Sequence, residues 1–192
     1  MAQYLKNRKI PCVFMRGGTS KAAFFHAEDL PADTALRDKV ILSALGSPDR
    51  RQIDGLGGGS TSTSKVAIIQ KSTRPDADVD YDFGQVDLLA PIVGKTMNCG
   101  NISSAVGPFA VDERIVDPVE PFTTVRIYNR NTDKMIIATV PVKDGTAMTE
   151  GDFSIDGVPG TGAKISLDFV KPQGAVSGVL LPTGNAKDYI EI

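Results

Sequence analysis

Short apolar segments separated by glycine- and proline-rich turns constrain the fold of this chain more than any other feature. Residues 10–15, 22–26, 66–69, 80–89, 123–128, 135–140 and 164–169 each read as a strand. Helical patterning is confined to two places. Residues 34–45 carry Leu36, Val40, Ile41 and Leu45 on one face, with Asp33 placed to cap the N-terminus and Gly46 and Pro48 placed to stop it. Residues 102–111 follow the tetrapeptide Asn98-Cys99-Gly100-Asn101 as a second helix. No internal repeat or heptad is visible. Strands that outnumber helices, joined by tight turns, predict an α+β fold with a curved sheet around a central helix.

Composition excludes several classes of function. The chain has 192 residues, 41% of them hydrophobic, which suits one domain with a sizeable core or two very small ones. A net charge of −2, few aromatics and no Trp leave neither the basic field nor the stacking surfaces that nucleic acid requires. Two cysteines, Cys12 and Cys99, make neither a disulfide framework nor a zinc site, and a lone His26 rules out a His-rich metal site. Cys12, in an apolar strand, reads as packing, His26 as an ordinary satisfied histidine, and Arg50, Arg51 and Asp54 as a solvated turn. No run is long enough to span a membrane, and residues 10–15, preceded by Lys6, Arg8 and Lys9, are too short for a signal peptide. The expectation is a soluble cytoplasmic protein.

Three polar loops carry the chemistry: residues 16–21, 55–65 and 98–101. Each mixes Gly with hydroxyl or amide side chains and contains or ends on a reactive or cationic group, so that together they would form an anion site. Cys99 at a helix N-terminus faces unpaired backbone N–H groups and the positive end of the dipole, which favours both thiolate and carboxylate ligands. A small buried cysteine beside a turn is the alternative. Lys65 sits where the second loop enters an apolar strand. It is either a strand-end cap with its head in water or an inward lysine whose desolvation favours the neutral amine, able to take a proton from carbon. A nucleotide loop is not supported: Gly does not precede Lys65, Val66 follows it, and no glycine fingerprint opens a helix after a strand.

Longer blocks connect these loops. They are Met15-Arg16-Gly17-Gly18-Thr19-Ser20-Lys21, Gly46-Ser47-Pro48-Asp49, Arg51-Gln52-Ile53-Asp54-Gly55-Leu56-Gly57-Gly58, Thr63-Ser64-Lys65-Val66-Ala67, Asn98-Cys99-Gly100-Asn101 with the helix after it, and Leu181-Pro182-Thr183-Gly184-Asn185. Together they resemble the PrpF family, the 2-methylaconitate cis-trans isomerases, with oxalomesaconate tautomerases and methylitaconate isomerases as relatives. The resemblance implies a diaminopimelate-epimerase-like fold of two similar domains with the active site in the cleft between them. It also implies a cofactor-free isomerase that moves a double bond in a small unsaturated polycarboxylate by a 1,3-proton shift. Carried over by motif, Lys65 would be the principal acid/base and Cys99 the second acid/base or a positioning group. Arg16, Gly17, Gly18, Thr19, Ser20, Lys21, Ser64, Asn98, Gly100 and Asn101 would hold substrate carboxylates, and no metal is implied.

Family members are about twice this length. The resemblance therefore implies a first domain over residues 1–175, then a linker and the start of a second domain over 176–192, with little activity from this chain alone. The alternative is a non-catalytic carboxylate-binding half-domain, or one that dimerises through its exposed inter-domain face. Residues 179–181 read as an apolar segment and residues 189–192 as the first half of a strand. Which polycarboxylate is the substrate does not follow from these residues.

Overall fold

The structure, a computed structural model, describes residues 9–173 and 177–190. It opens on a hairpin, β1 (Val13–Gly17) and β2 (Ser20–His26), paired antiparallel from Gly17↔Ser20 to Val13↔Phe24. Most of the loop expected over residues 16–21 is thus strand. Gly18, at φ +52, takes the left-handed conformation that lets the chain reverse in so little length. After a 3₁₀ turn, Ala27–Asp29, comes α1 (Thr34–Leu45), with the bounds that its capping residues predict. Asp33 Oδ1 accepts the Leu36 N–H at 2.8 Å, and Gly46 closes the helix in the left-handed region at φ 76.

β3 (Lys65–Lys71) and β4 (Val79–Val86) follow, then a two-residue β5 (Val93–Gly94) and α2 (Gly100–Asp112). β4 ends earlier than the expected residue 89 because Asp87 Oδ1 accepts the N–H groups of Leu89 and Ala90 and turns the chain. β6 (Phe122–Asn129), β7 (Lys134–Lys143), β8 (Thr146–Ala147) and β9 (Ser166–Phe169) complete the sheet. The strand order is β1-β2-β3-β4-β6-β7-β8, with β5 added to β4 and β9 to β7; β2/β3 and β4/β6 are parallel and the other pairs antiparallel.

α2 packs against β1 and β8, strands at opposite ends of that order, as well as against β2, β3, β6 and β7. One helix can touch both ends only if the sheet curls around it. The predicted curved sheet with a central helix is therefore the observed architecture. Strand alternation explains the burial. Phe24, Ala67, Ile69, Tyr81 and Phe83 point inward onto Ile102, Val106, Phe109 and Ala110 of α2. Their neighbours Ala23, Phe25, Val66 and Ile68 point outward onto Val40, Ile41 and Leu45 of α1. β2 and β3 are covered on both faces, which is why they read as continuous apolar runs.

The helix approaches β7 closely at Gly107, where an added Cβ would come within 2.7 Å of Val140 Cγ2 and 3.0 Å of Ala138 Cβ. Cys12 lies ahead of β1 and is exposed, so it is not the packing residue its apolar neighbours suggested. Residues 179–181 and 189–190 are exposed and form no strand. The expected domain boundary at 175/176 falls outside the described residues, as do Lys6, Arg8 and Ile192.

Candidate active site at the N-terminus of the central helix

Lys65 opens β3 and pairs with Gln85 of β4. By alternation its side chain shares the inner face with Ala67 and Ile69, and it is 8% exposed. The lysine points inward rather than capping the strand in water. Its Nζ donates to Gln85 Oε1 at 2.6 Å and lies 5.4 Å from the centre of the Phe83 ring. Gln85 is fixed in turn, its Nε2 donating to the carbonyls of Ser64 and Thr61. An ammonium held over an aromatic face and an amide oxygen is desolvated yet partnered.

Cys99 is the N-cap residue of α2, in extended conformation, and its side chain makes no capping hydrogen bond. It is half-buried against the inner core, the same core that holds Phe83 beneath Lys65. Its carbonyl accepts the Ser103 N–H at 2.9 Å and Ser103 Oγ at 3.0 Å. Ser103 Oγ also reaches Asn98 Oδ1 at 3.1 Å, and Asn129 Nδ2 donates to that oxygen at 3.2 Å. Asn129 and Ser103 are fully buried. Asn98 is thus a strut that fixes the turn before the helix. Tyr81, across the ladder from Asn129, is also fully buried. Burial, then the nearness of Cys99, pushes its hydroxyl well above the ordinary phenol range, against a smaller opposing effect of hydrogen bonding with Ser103.

The β1–β2 turn seats on this helix end. An added Cβ at Gly17 would collide with the Asn101 carbonyl oxygen, and one at Gly18 with Asn101 Oδ1. Asn101 Oδ1 accepts the Thr19 N–H at 3.2 Å, and Arg16 Nη1 donates to the Gly18 carbonyl at 2.8 Å. Gly100 and Asn101 are exposed in the first helical turn. Arg16, Gly18, Gly100 and Asn101 line one open cavity of about 500 Å³, walled by Met15, Met148, Phe153 and Ile155 among others. Neither Lys65 nor Cys99 lines it. Ser20 is buried on the inner face, where Ala22 and Phe24 continue the strand.

Two further candidates lie outside this cavity as well. Lys21 projects from the opposite face of β2, its Nζ 5.2 Å from the centre of the Phe14 ring. Ser64 Oγ is fully buried, donates to the Val86 carbonyl at 2.8 Å and accepts from Gln52 Nε2 at 2.7 Å. Its one proton is committed, so it braces the loop and offers nothing to a ligand.

Gln52 was not singled out from the sequence. It is 1% exposed, and its Oε1 accepts the Gly59 N–H at 3.1 Å while an added Cβ at Gly57 would strike its amide. The Gly/Ser/Thr loop is wrapped on this glutamine, which orders the chain leading to Lys65. Gln85 was equally unmarked: only its inward alternation with Tyr81 and Phe83 hinted at it. His26 is satisfied, its Nε2 lying 3.0 Å from Glu113 Oε2 and its ring packed on Phe109, and Arg50, Arg51 and Asp54 are exposed. Among the described residues no group of three or more His, Cys, Asp or Glu could hold a metal ion, and no helix is long and apolar enough to cross a membrane.

Comparison with known proteins identifies the family. The model of the PrpF protein family matches residues 7–192. The 3-methylitaconate isomerase of Eubacterium barkeri is 57% identical over 182 residues, covering 95% of this chain and 48% of the relative. The 4-oxalomesaconate tautomerase of Pseudomonas putida is 51% identical, covering 95% and 51%, and the 2-methyl-aconitate isomerase of Cupriavidus necator is 45% identical, covering 96% and 50%. The chain thus spans about half the length of these relatives. The crystal structure of a methylitaconate-delta-isomerase superimposes with a TM-score of 0.87 at 57% identity, over 94% of this chain and 47% of the other. On fold, motifs and relatives together, this chain belongs to the PrpF family.

Proposed function

We propose that this chain carries the acid/base half of an isomerase or tautomerase acting on a small unsaturated polycarboxylate of the methylitaconate, oxalomesaconate or 2-methylaconitate type. The observation that carries this reading is the inward, desolvated Lys65 on the same inner face as the uncapped, cysteine-bearing N-terminus of α2. Lys65, as the amine, takes a proton from the allylic carbon. The C–H pair becomes a new double bond and the displaced π electrons place negative charge on a carboxylate. The first-turn amides of α2 stabilise that charge without reorganising. Cys99 returns a proton to the far carbon as the double bond settles in its new position. The shift is redox-neutral, so two proton carriers suffice without a cofactor. Gly18 supplies a backbone donor for the carboxylates, and Arg16 supplies charge. Two unpaired cysteines suit a cytoplasmic setting.

Turnover by this chain alone is low under this proposal, because the carboxylates need clamping from both sides of a closed cleft. The test is deuterium exchange at the allylic carbon in heavy water, followed by NMR, with methylitaconate, aconitate, methylaconitate and oxalomesaconate. It is run on this chain and on this chain joined to the remaining half of the 57%-identical methylitaconate isomerase. Exchange by the joined, folded chain that Lys65→Met removes is the expected result. No exchange with any of the four acids would overturn the reading.

A second reading is a carboxylate-binding half that pairs with a second copy of itself. The exposed Phe169 and Val170, which line a smaller cavity of about 170 Å³ beside Asn98, favour it. Light scattering decides: a clean monomer at high concentration excludes the paired form.

A further inference from the structure

Gln85 stands directly across the β3/β4 ladder from Lys65. Side chains paired in this way share one face and lie within reach of each other. The far end of the amide decides how it is turned. Its Nε2 donates to the Ser64 carbonyl at 2.8 Å and to the Thr61 carbonyl at 3.2 Å. Carbonyl oxygens only accept, so the amide nitrogen has to face them and Oε1 has to face Lys65. The two carbonyls are themselves held. That of Ser64 also accepts the Val86 N–H at 3.0 Å, while Ser64 Oγ is tied to Gln52 and to the Val86 carbonyl. Thr61 lies in a turn closed by the Thr63 N–H on the Ser60 carbonyl, and the next carbonyl, of Ser62, accepts the Lys21 N–H at 3.0 Å. Gln85 thus presents one oriented acceptor, 2.6 Å from Lys65 Nζ, on a braced loop.

We propose that Gln85 is a positioning residue for Lys65, fixing Nζ at one place on the inner face without supplying a charge that retains its proton. A lysine head on its four-carbon stem is a rotating group of equivalent donors, and nothing in the residue itself aims the nitrogen. Here one N–H is tied to Oε1 and the Phe83 ring lies 5.4 Å from the nitrogen, so its place on the inner face is set by two neighbours on β4. The neutrality of the amide matters as much as its position. Among the described residues no carboxylate lies within ion-pair distance of Lys65 Nζ. A carboxylate at position 85 would bind the ammonium by charge and oppose release of the proton. An amide oxygen accepts an N–H from the ammonium and from the neutral amine alike, so it directs the nitrogen in both states of a proton-transfer cycle. Displacing a catalytic group by about 1 Å costs about 100-fold in rate, which is the scale on which a lost tether acts.

The inference rests on the reading of Lys65 as the base, and two measurements keep the two apart. The first needs no turnover. In this chain labelled with ¹³C-lysine, the ε-methylene signals of Lys65 are assigned by their loss in Lys65→Arg. The two ε protons should have distinct chemical shifts, because the head is held in one geometry. In Gln85→Met, of similar length but with neither an amide donor nor an oxygen acceptor, the two shifts should converge. In Gln85→Glu, which keeps an oxygen acceptor, they should stay apart. The second measurement uses the joined enzyme. Gln85→Met should lower kcat by about 100-fold with KM little changed, the mark of a group that acts on the chemical step. Gln85→Glu should also lower kcat although the head stays held, because its charge retains the proton. If Gln85→Met fails to fold, Gln85→Asn, which withdraws the amide by one carbon, is read in the same way. Unchanged ε-methylene shifts in the folded Met or Asn variant would overturn the proposal, as would a wild-type kcat in the Met, Asn or Glu variant while Lys65→Met is inactive. Full turnover by Lys65→Met would instead overturn the base reading, and the positioning role with it.

Discussion

Lys65 and Ser64 are adjacent in sequence and opposite in role, because strand alternation sends one to the inner face and the other to the outer. Ser64 is locked by Gln52 and the Val86 carbonyl. Lys65 is 8% exposed and holds its ammonium on Gln85 Oε1 over the inner face. Two different outcomes follow on substitution. Lys65→Met in the joined enzyme should lower turnover by about 10²–10⁴-fold, and Cys99→Ser should lower it less, because a hydroxyl or water partly replaces a proton-donating thiol. Single-turnover kinetics with both variants checks the order, and near-normal rates for Lys65→Met would move the base elsewhere. Gln52→Ala should instead destabilise by about 1–3 kcal/mol, since Ser64 Oγ and the Gly59 N–H each lose a buried partner. Urea unfolding measures it, and an unchanged midpoint would show that the loop does not depend on this glutamine.

At the scale of elements, α2 is held by glycine contacts at two places. Gly17 lets the β1–β2 turn rest on the first helical turn, and Gly107 lets β7 approach the helix middle. In an exposed helix, Gly→Ala gains about 1 kcal/mol of propensity. At position 107 the new methyl meets Val140 and Ala138, and overpacking of this kind costs about 1–3 kcal/mol. The steric cost outweighs the propensity gain, so Gly107→Ala is expected to lower the melting temperature; a rise in Tm would mean that β7 yields without cost. Gly17→Ala should displace the hairpin from Asn101 and weaken carboxylate binding even where the fold survives. Titration with malonate followed by NMR of the Gly100 and Asn101 amides reads this directly.

For the whole molecule, pH dependence follows from a few carboxylates. Burial alone would raise Asp78, but hydrogen bonds from the Arg126 side chain and backbone, together with its charge, outweigh that and hold Asp78 below the ordinary carboxylate range. Backbone N–H groups of Ile53 and Arg51 lower Asp49, and those of Ala90 and Leu89 lower Asp87. A carboxyl lowered in the folded state contributes its stability fully above the ordinary value of about 3.9 and loses it as pH falls through the folded value. Asp82, raised by burial, works in the opposite direction. Asp76 is lowered too, by its hydrogen bond from Arg74, and four lowered carboxylates against one raised predict a net loss of stability below about pH 4. The urea midpoint from pH 3 to 7 should show that loss, and it should be shallower for Asp78→Asn. Equal slopes would mean that the Arg126 pair persists in the unfolded chain.

The sequence alone determined the type of most elements and the ends of α1, because periodicity and capping are local: Asp33 and Gly46 bound α1 whatever surrounds them. It also determined the family, because the loop blocks are contiguous in the chain. Tertiary structure decided what each loop residue does. Whether Lys65 points into the core or into water depends on its register with Gln85, and whether Ser64 is free depends on Gln52, twelve residues away. Lys21 and Ser20 are neighbours on opposite faces, a distinction that appears only once β2 is paired and its inner side is fixed by α2. Tyr81 is placed beside Asn129 only by the pairing of β4 with β6, a contact between residues forty-eight apart in the chain. Local patterns encode conformation, but the facing of a side chain and the partners it finds arise from contacts between distant segments, and those form only as the sheet closes around its helix.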